Sequence, residues 1–155
     1  AHIQLILEHL EAEEPKGETG LIQALHELAE KIRPRGLVII FSDLFCDTEA
    51  LLQALQHLRF RKHDVAGFHL LDKAEIDFEF DRPIRFVVLG SSNSIITEPG
   101  LIREEYLGQF NRFLDRVKTG CREFHTEYRM VRTDEGYEKV LADFLVERAQ
   151  AATTA

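Results

Sequence analysis

Apolar residues in the first half of the chain recur with two different spacings. Between residues 21 and 32 they lie on one face of a helix, at Leu21, Leu25, Leu28 and Ile32. The uninterrupted apolar run 37–41 follows, and such a run is typical of a strand whose two faces are both covered. Asp47 or Thr48 can cap the next helix, which a second apolar run, 65–71, follows. The pattern therefore predicts helix, strand, helix, strand.

A strand, a helix and a strand at this spacing form a βαβ unit, whose strands are parallel. The second half continues the alternation, with a helix over 101–118 that Gly120 ends and a strand over 124–131 nearer the sheet edge. A last helix begins at Asp134 and is expected to turn its apolar residues to the core, at Val140, Leu141, Phe144 and Leu145. The predicted fold class is α/β, a Rossmann-like parallel sheet flanked by helices, in a single domain over 1–155.

The segment 72–99 interrupts this alternation. Glu75, Asp77, Glu79 and Asp81 alternate with apolar residues, and this period of two predicts a strand with one acidic face. Segments 84–89 and 94–97 flank a turn at residues 90–93 and predict a β-hairpin. We interpret 72–99 as a small hairpin insertion beside the main sheet.

Composition limits which classes of binding partner and which cellular compartment can be expected for this chain. The net charge of −8 argues against a nucleic-acid surface, which needs a basic face. No apolar stretch approaches the roughly 20 residues of a membrane-spanning helix. Two cysteines, Cys46 and Cys121, do not make a disulfide framework, and no signal peptide is visible, so a cytoplasmic protein with reduced thiols is expected.

The candidate chemistry lies where the first predicted strand ends. Asp43 follows that strand, and Thr19 stands at the start of the helix that leads into it. Ligands of open parallel sheets bind at this edge, and a hydroxyl with a carboxylate suits a hard divalent cation such as Mg²⁺. The alternatives are structural: Thr19 as a helix N-cap, Asp43 as a loop carboxylate that accepts backbone N–H groups, and Asp47 as a helix cap. His69, inside an apolar strand, is interpreted as a hydrogen-bonded core or rim histidine.

Several segments resemble the DUF58 family of bacterial proteins. They are 17–25 (GETGLIQAL), 35–43 (RGLVIIFSD), 63–65 (HDV), 70–72 (LLD), 75–78 (EIDF), Asp134 and 144–148 (FLVER). Each motif is weak by itself, and their order and spacing are more specific. The resemblance implies a von Willebrand factor A-like (vWA-like) domain with a metal-ion-dependent adhesion site, in which Thr19 and Asp43 match the Thr and Asp motifs. It also implies a MoxR-type AAA+ ATPase as partner.

The chain departs from the family's pattern in one respect, because no D-x-S-x-S motif occurs in it. We therefore expect a partial vWA-like domain without the N-terminal strands of the parent fold, and an adhesion site that is incomplete. The strand at Leu37 would then have an exposed edge, and a second copy of the chain is expected to cover it as a homodimer.

Two classes of function follow from these patterns. The first is a non-enzymatic protein-interaction module of vWA type, which when complete would recognise a partner carboxylate through Mg²⁺. The second is an Mg²⁺-dependent phosphohydrolase that uses Asp43 and Asp47 to hold the metal and activate water.

Overall fold

The structure is a computed structural model that describes residues 2–14, 20–87 and 94–154. Its helices are α1 (His2–Ala12), α2 (Leu21–Lys31), α3 (Thr48–Phe60), α4 (Lys73–Asp77), α5 (Pro99–Glu123) and α6 (Tyr137–Thr154). Its strands are β1 (Leu37–Ser42), β2 (Asp64–Leu71), β3 (Ile84–Val87), β4 (Ser94–Thr97) and β5 (Glu127–Arg132).

The main sheet has the strand order β1-β2-β5, and both strand pairs are parallel. The β1–β2 register begins with Leu37 beside Asp64 and ends with Ser42 beside His69. This arrangement confirms the α/β class, the βαβ unit and the position of β5 at a sheet edge. β3 and β4 form a separate antiparallel pair, which confirms the hairpin, although its turn at 90–93 lies outside the described residues.

Helices cover the two faces of the main sheet unequally. Val38 and Ile40 of β1 belong to a large core with buried residues of α2, α3 and α5, such as Leu25, Leu55 and Val117. The opposite face holds a smaller cluster, made of Ala66, Phe68, Val131 and Phe144 of α6. Because neighbouring residues of a strand point to opposite faces, these clusters lie on the two sides of the sheet.

The prediction that both faces of β1 are covered is wrong for the described part of the chain. Leu37, Ile39 and Phe41 are 45%, 41% and 57% exposed, while their neighbours Val38 and Ile40 are buried. Phe41 of β1 contacts the small cluster, because its ring stacks on Phe68 with centroids 4.8 Å apart. The apolar run alone did not reveal that β1 is an edge strand with one open face.

The predicted acidic strand at residues 75–81 is also wrong, because its first part is helix α4. Asp72 accepts a hydrogen bond from the backbone N–H of Ala74, and Glu75 Oε2 accepts one from the backbone N–H of Asp72. This capping box satisfies N–H groups at the helix start and outweighs the period-two pattern. Phe78 ends the helix in the left-handed conformation, at φ 46°.

The last two helices differ from their predicted bounds. α5 continues through Gly120 to Glu123, and Gly120 is a buried packing position rather than a stop. α6 begins at Tyr137 instead of Asp134. Phe144 is buried as expected, whereas Leu141 and Leu145 lie on the exposed side. Among the described helices, none combines the length and apolar character needed to cross a membrane.

Candidate functional site

Asp43 lies directly after β1, at the carboxyl-terminal edge of the parallel sheet. Its Oδ1 accepts a hydrogen bond from the backbone N–H of Phe45 at 3.1 Å. The Ser42 hydroxyl oxygen accepts the N–H of Leu44 at 3.0 Å, and Leu44 has a positive φ of 53°. The exposed carboxylate of Asp43 therefore stabilises its own loop, which is the structural role that the sequence allowed.

Of the other two candidate residues, the structure describes Asp47 but not Thr19. Asp47 is the N-cap of α3, and its Oδ1 accepts the backbone N–H of Ala50 at 2.8 Å, which confirms it as a helix cap. Thr19 lies outside the described residues. The N-cap position of α2 is Gly20, which has no side chain to accept a backbone N–H.

A buried histidine fixes the backbone beneath Asp43. His69 Nε2 lies 2.7 Å from the carbonyl oxygen of Asp43, and its Nδ1 lies 2.8 Å from the hydroxyl of Tyr128. A carbonyl only accepts, so Nε2–H donates to Asp43 and Nδ1 accepts the Tyr128 O–H. Burial lowers the pKa of His69 and raises the pKa of Tyr128 to about 12. Both groups are neutral near pH 7, and the prediction of a hydrogen-bonded histidine is confirmed.

An apolar cleft of about 510 Å³ lies beside this loop, lined by Phe45, Cys46, Tyr106, Gln109, Phe110 and Phe113. The Phe45 ring stacks on Phe113 with centroids 5.4 Å apart and is itself 54% exposed. Burial, and then the charges of Asp43 and Asp47, raise the pKa of the Cys46 thiol, so this cysteine is a poor nucleophile near pH 7. The sequence does not reveal this cleft, because its aromatic residues come from two remote segments.

The described residues do not by themselves form a magnesium site. Octahedral Mg²⁺ requires six oxygen ligands, and the protein supplies at least one or two carboxylates that face the ion. Directly after β1 the described chain offers the Asp43 carboxylate and the neighbouring Ser42 hydroxyl, and Asp43 Oδ1 already accepts a backbone N–H. Nowhere in ranges 2–14, 20–87 and 94–154 do three His, Cys, Asp or Glu side chains converge as metal ligands.

Comparison with known proteins identifies one family. The family model described as protein of unknown function DUF58 matches residues 1–107, which is more than half of the chain. No curated protein and no solved structure matches the chain. The matched range includes β1, the Asp43 loop, β2 and the hairpin. On this evidence the chain belongs to the DUF58 family.

Proposed function

We propose that this chain is a non-enzymatic protein-interaction module whose docking surface is the open side of β1. We call this surface the β1 edge and define it by Leu37, Ile39, Phe41 and the backbone edge of the strand with which no other described strand pairs. The sequence of β1, LVIIFS, supports this proposal because it has no charge, no proline and no glycine. Natural edge strands are normally protected by such residues or by a covering element, so an unprotected one indicates a pairing partner.

A second copy of the chain is the occupant that fits this edge best. In antiparallel pairing about a twofold axis through Ile39, Leu37 of one copy lies opposite Phe41 of the other. Val38 then lies opposite Ile40. Both residues of each pair are apolar, and they point to the same face of the joined sheet. A symmetric contact of this kind closes as a dimer and leaves neither β1 edge open.

Sedimentation velocity over a wide range of protein concentration tests this proposal. We expect a monomer–dimer equilibrium for the wild-type chain. Ile39→Lys should shift it towards monomer, because the twofold axis would place two lysines directly opposite each other. Leu101→Lys is the matched control, since Leu101 is an exposed aliphatic residue at the start of α5. Thermal unfolding of both variants checks that they remain folded. A wild-type monomer at all concentrations would contradict the proposal.

Family membership supports a further proposal, that a MoxR-type AAA+ ATPase binds this module with the help of Mg²⁺ held by Thr19 and Asp43. The position of Asp43 at the ligand-binding edge of the sheet agrees with this proposal. We expect binding of the ATPase to weaken in EDTA and in Asp43→Asn. Asp47→Asn is the control, because asparagine caps helices as well as aspartate does. Equal binding with Mg²⁺ and with EDTA would contradict the metal requirement.

The phosphohydrolase alternative uses the same two carboxylates, Asp43 and Asp47. Both already accept backbone N–H groups, at Phe45 and Ala50. Mg²⁺-dependent hydrolysis of a generic phosphate ester, lost in Asp43→Asn, would favour this enzyme over the interaction module.

A further inference from the structure

Two histidines face each other across the packed helices α2 and α3. The Nδ1 atoms of His26 and His57 are 2.9 Å apart, and the ring centroids are separated by 5.2 Å with an angle of 40° between the planes. The residues are 31 positions apart in the sequence. Both rings are half-buried, so ions in the solvent can reach them.

A carboxylate fixes the tautomer of one of these rings. His57 Nε2 lies 2.8 Å from Glu30 Oε1, and because a carboxylate only accepts, Nε2–H is the donor. In neutral His57 the lone pair is then on Nδ1, the atom that faces His26. The second Glu30 oxygen lies 3.4 Å from Arg61 Nη2, which helps to hold the carboxylate in place.

Two imidazole nitrogens this close must share either a proton or a cation. Metal–imidazole bonds are about 2.0–2.1 Å long. Adjacent ligands at about 90° around such an ion are therefore about 2.9 Å apart, whereas tetrahedral ligands are about 3.4 Å apart. The observed Nδ1–Nδ1 distance of 2.9 Å, with ring centroids 5.2 Å apart, is that of two rings pointing at each other through a shared proton. The nitrogens already have the spacing of adjacent ligands at about 90°, so rotation of the rings towards one point would let an ion with square or tetragonal geometry, such as Cu²⁺ or Ni²⁺, replace that proton.

The contact between His57 and Glu30 provides a second, independent argument. Histidines that bind metals usually donate their other ring N–H to a carboxylate, and this contact orients the ring and increases its basicity. We propose that His26 and His57 form a binding site for Cu²⁺ or Ni²⁺, that Glu30 positions His57, and that water completes the coordination. This site is separate from the Asp43 loop and lies between helices instead of at the sheet edge.

A metal ion at this site would connect α2 to α3 only in the folded protein, so it would stabilise the fold. Titration of the chain with Ni²⁺, by calorimetry and by thermal unfolding, tests this effect. We expect one equivalent to bind and a higher Tm, because a ligand that binds the folded state raises its stability with concentration. Cu²⁺ should give a visible absorption band that indicates nitrogen ligands.

Substitutions distinguish metal binding at His26 and His57 from binding at other histidines. His26→Ala and His57→Gln should each abolish the rise in Tm, and Glu30→Gln, which keeps both rings, should weaken Ni²⁺ binding by about 10–100-fold. His9→Ala on exposed α1 is the matched control and should bind as wild type does. Unfolding without metal checks that each variant is folded. The proposal is overturned if Ni²⁺ leaves the wild-type Tm unchanged, which would indicate a shared proton only, or if His26→Ala keeps the full response.

Discussion

At the scale of single residues, His69 shows how a buried polar side chain organises the edge of the sheet. It is fully buried in β2, donates to the Asp43 carbonyl and accepts from Tyr128. These contacts connect the loop after β1 with β5 through one imidazole. An unpaired polar group in this position would cost stability, and in the neutral ring both nitrogens are satisfied.

The protonation of His69 leads to a prediction about pH. Its pKa is lowered from the ordinary 6.5, chiefly by burial, so the unfolded chain takes up this proton at a higher pH than the folded chain does. The stability that the neutral ring provides is therefore present above pH 6.5 and decreases as the pH falls from 6.5 towards the folded-state pKa. Urea unfolding between pH 5 and pH 8 measures this decrease in the free energy of unfolding.

His69→Gln is the comparison for that experiment, because glutamine does not titrate. We expect the decrease in unfolding free energy below pH 6.5 to be smaller in this variant than in the wild type. Parallel pH profiles for the two proteins would show that His69 is not the group responsible.

At the scale of elements, Gly120 shows why a helix can continue through a residue that normally ends one. A Cβ at Gly120 would collide with the side chain of Leu52 on α3, so the glycine allows the two helices to approach closely. The neighbouring Cys121 is buried in the same large core. Tertiary packing therefore outweighs the low helix propensity of glycine, which costs roughly 1 kcal/mol relative to alanine.

Gly120→Ala should destabilise the protein even though alanine is the better helix former. Overpacking typically costs about 1–3 kcal/mol, which exceeds the gain in propensity. In a Leu52→Ala background the collision is removed, and the same change should stabilise by about 0.5–1 kcal/mol. Chemical denaturation of the four proteins measures both effects. Destabilisation of equal size in both backgrounds would exclude Leu52 as the cause.

At the scale of the whole molecule, the described chain leaves a large part of its apolar surface uncovered. Every residue of α1 is exposed, including Ile3, Leu5 and Leu10, and the β1 edge is open as well. Isolated helices of this length are marginal in water, because most helix stability in proteins comes from packing. In the monomer α1 therefore adds little to the stability of the rest of the fold.

Deletion of residues 1–12 should change the unfolding free energy by less than about 0.5 kcal/mol, as expected for exposed positions. The measurement is denaturant unfolding at a concentration where the protein is monomeric. Phe144→Ala is the contrasting control, since truncation of a buried Phe typically costs about 3–5 kcal/mol. A loss on deletion as large as that of Phe144→Ala would mean that α1 packs on the core.

The sequence by itself determined the elements whose signals are local. The helical stripe of α2, the apolar runs of β1 and β2, the hairpin and the capping role of Asp47 depend on neighbouring residues, so periodicity and cap chemistry predicted them. Only the tertiary structure decided that one face of β1 is open and that Gly120 is a packing position. It also brought His26 to His57 and Phe45 to Phe113, because contacts between residues remote in sequence depend on how all the elements pack together.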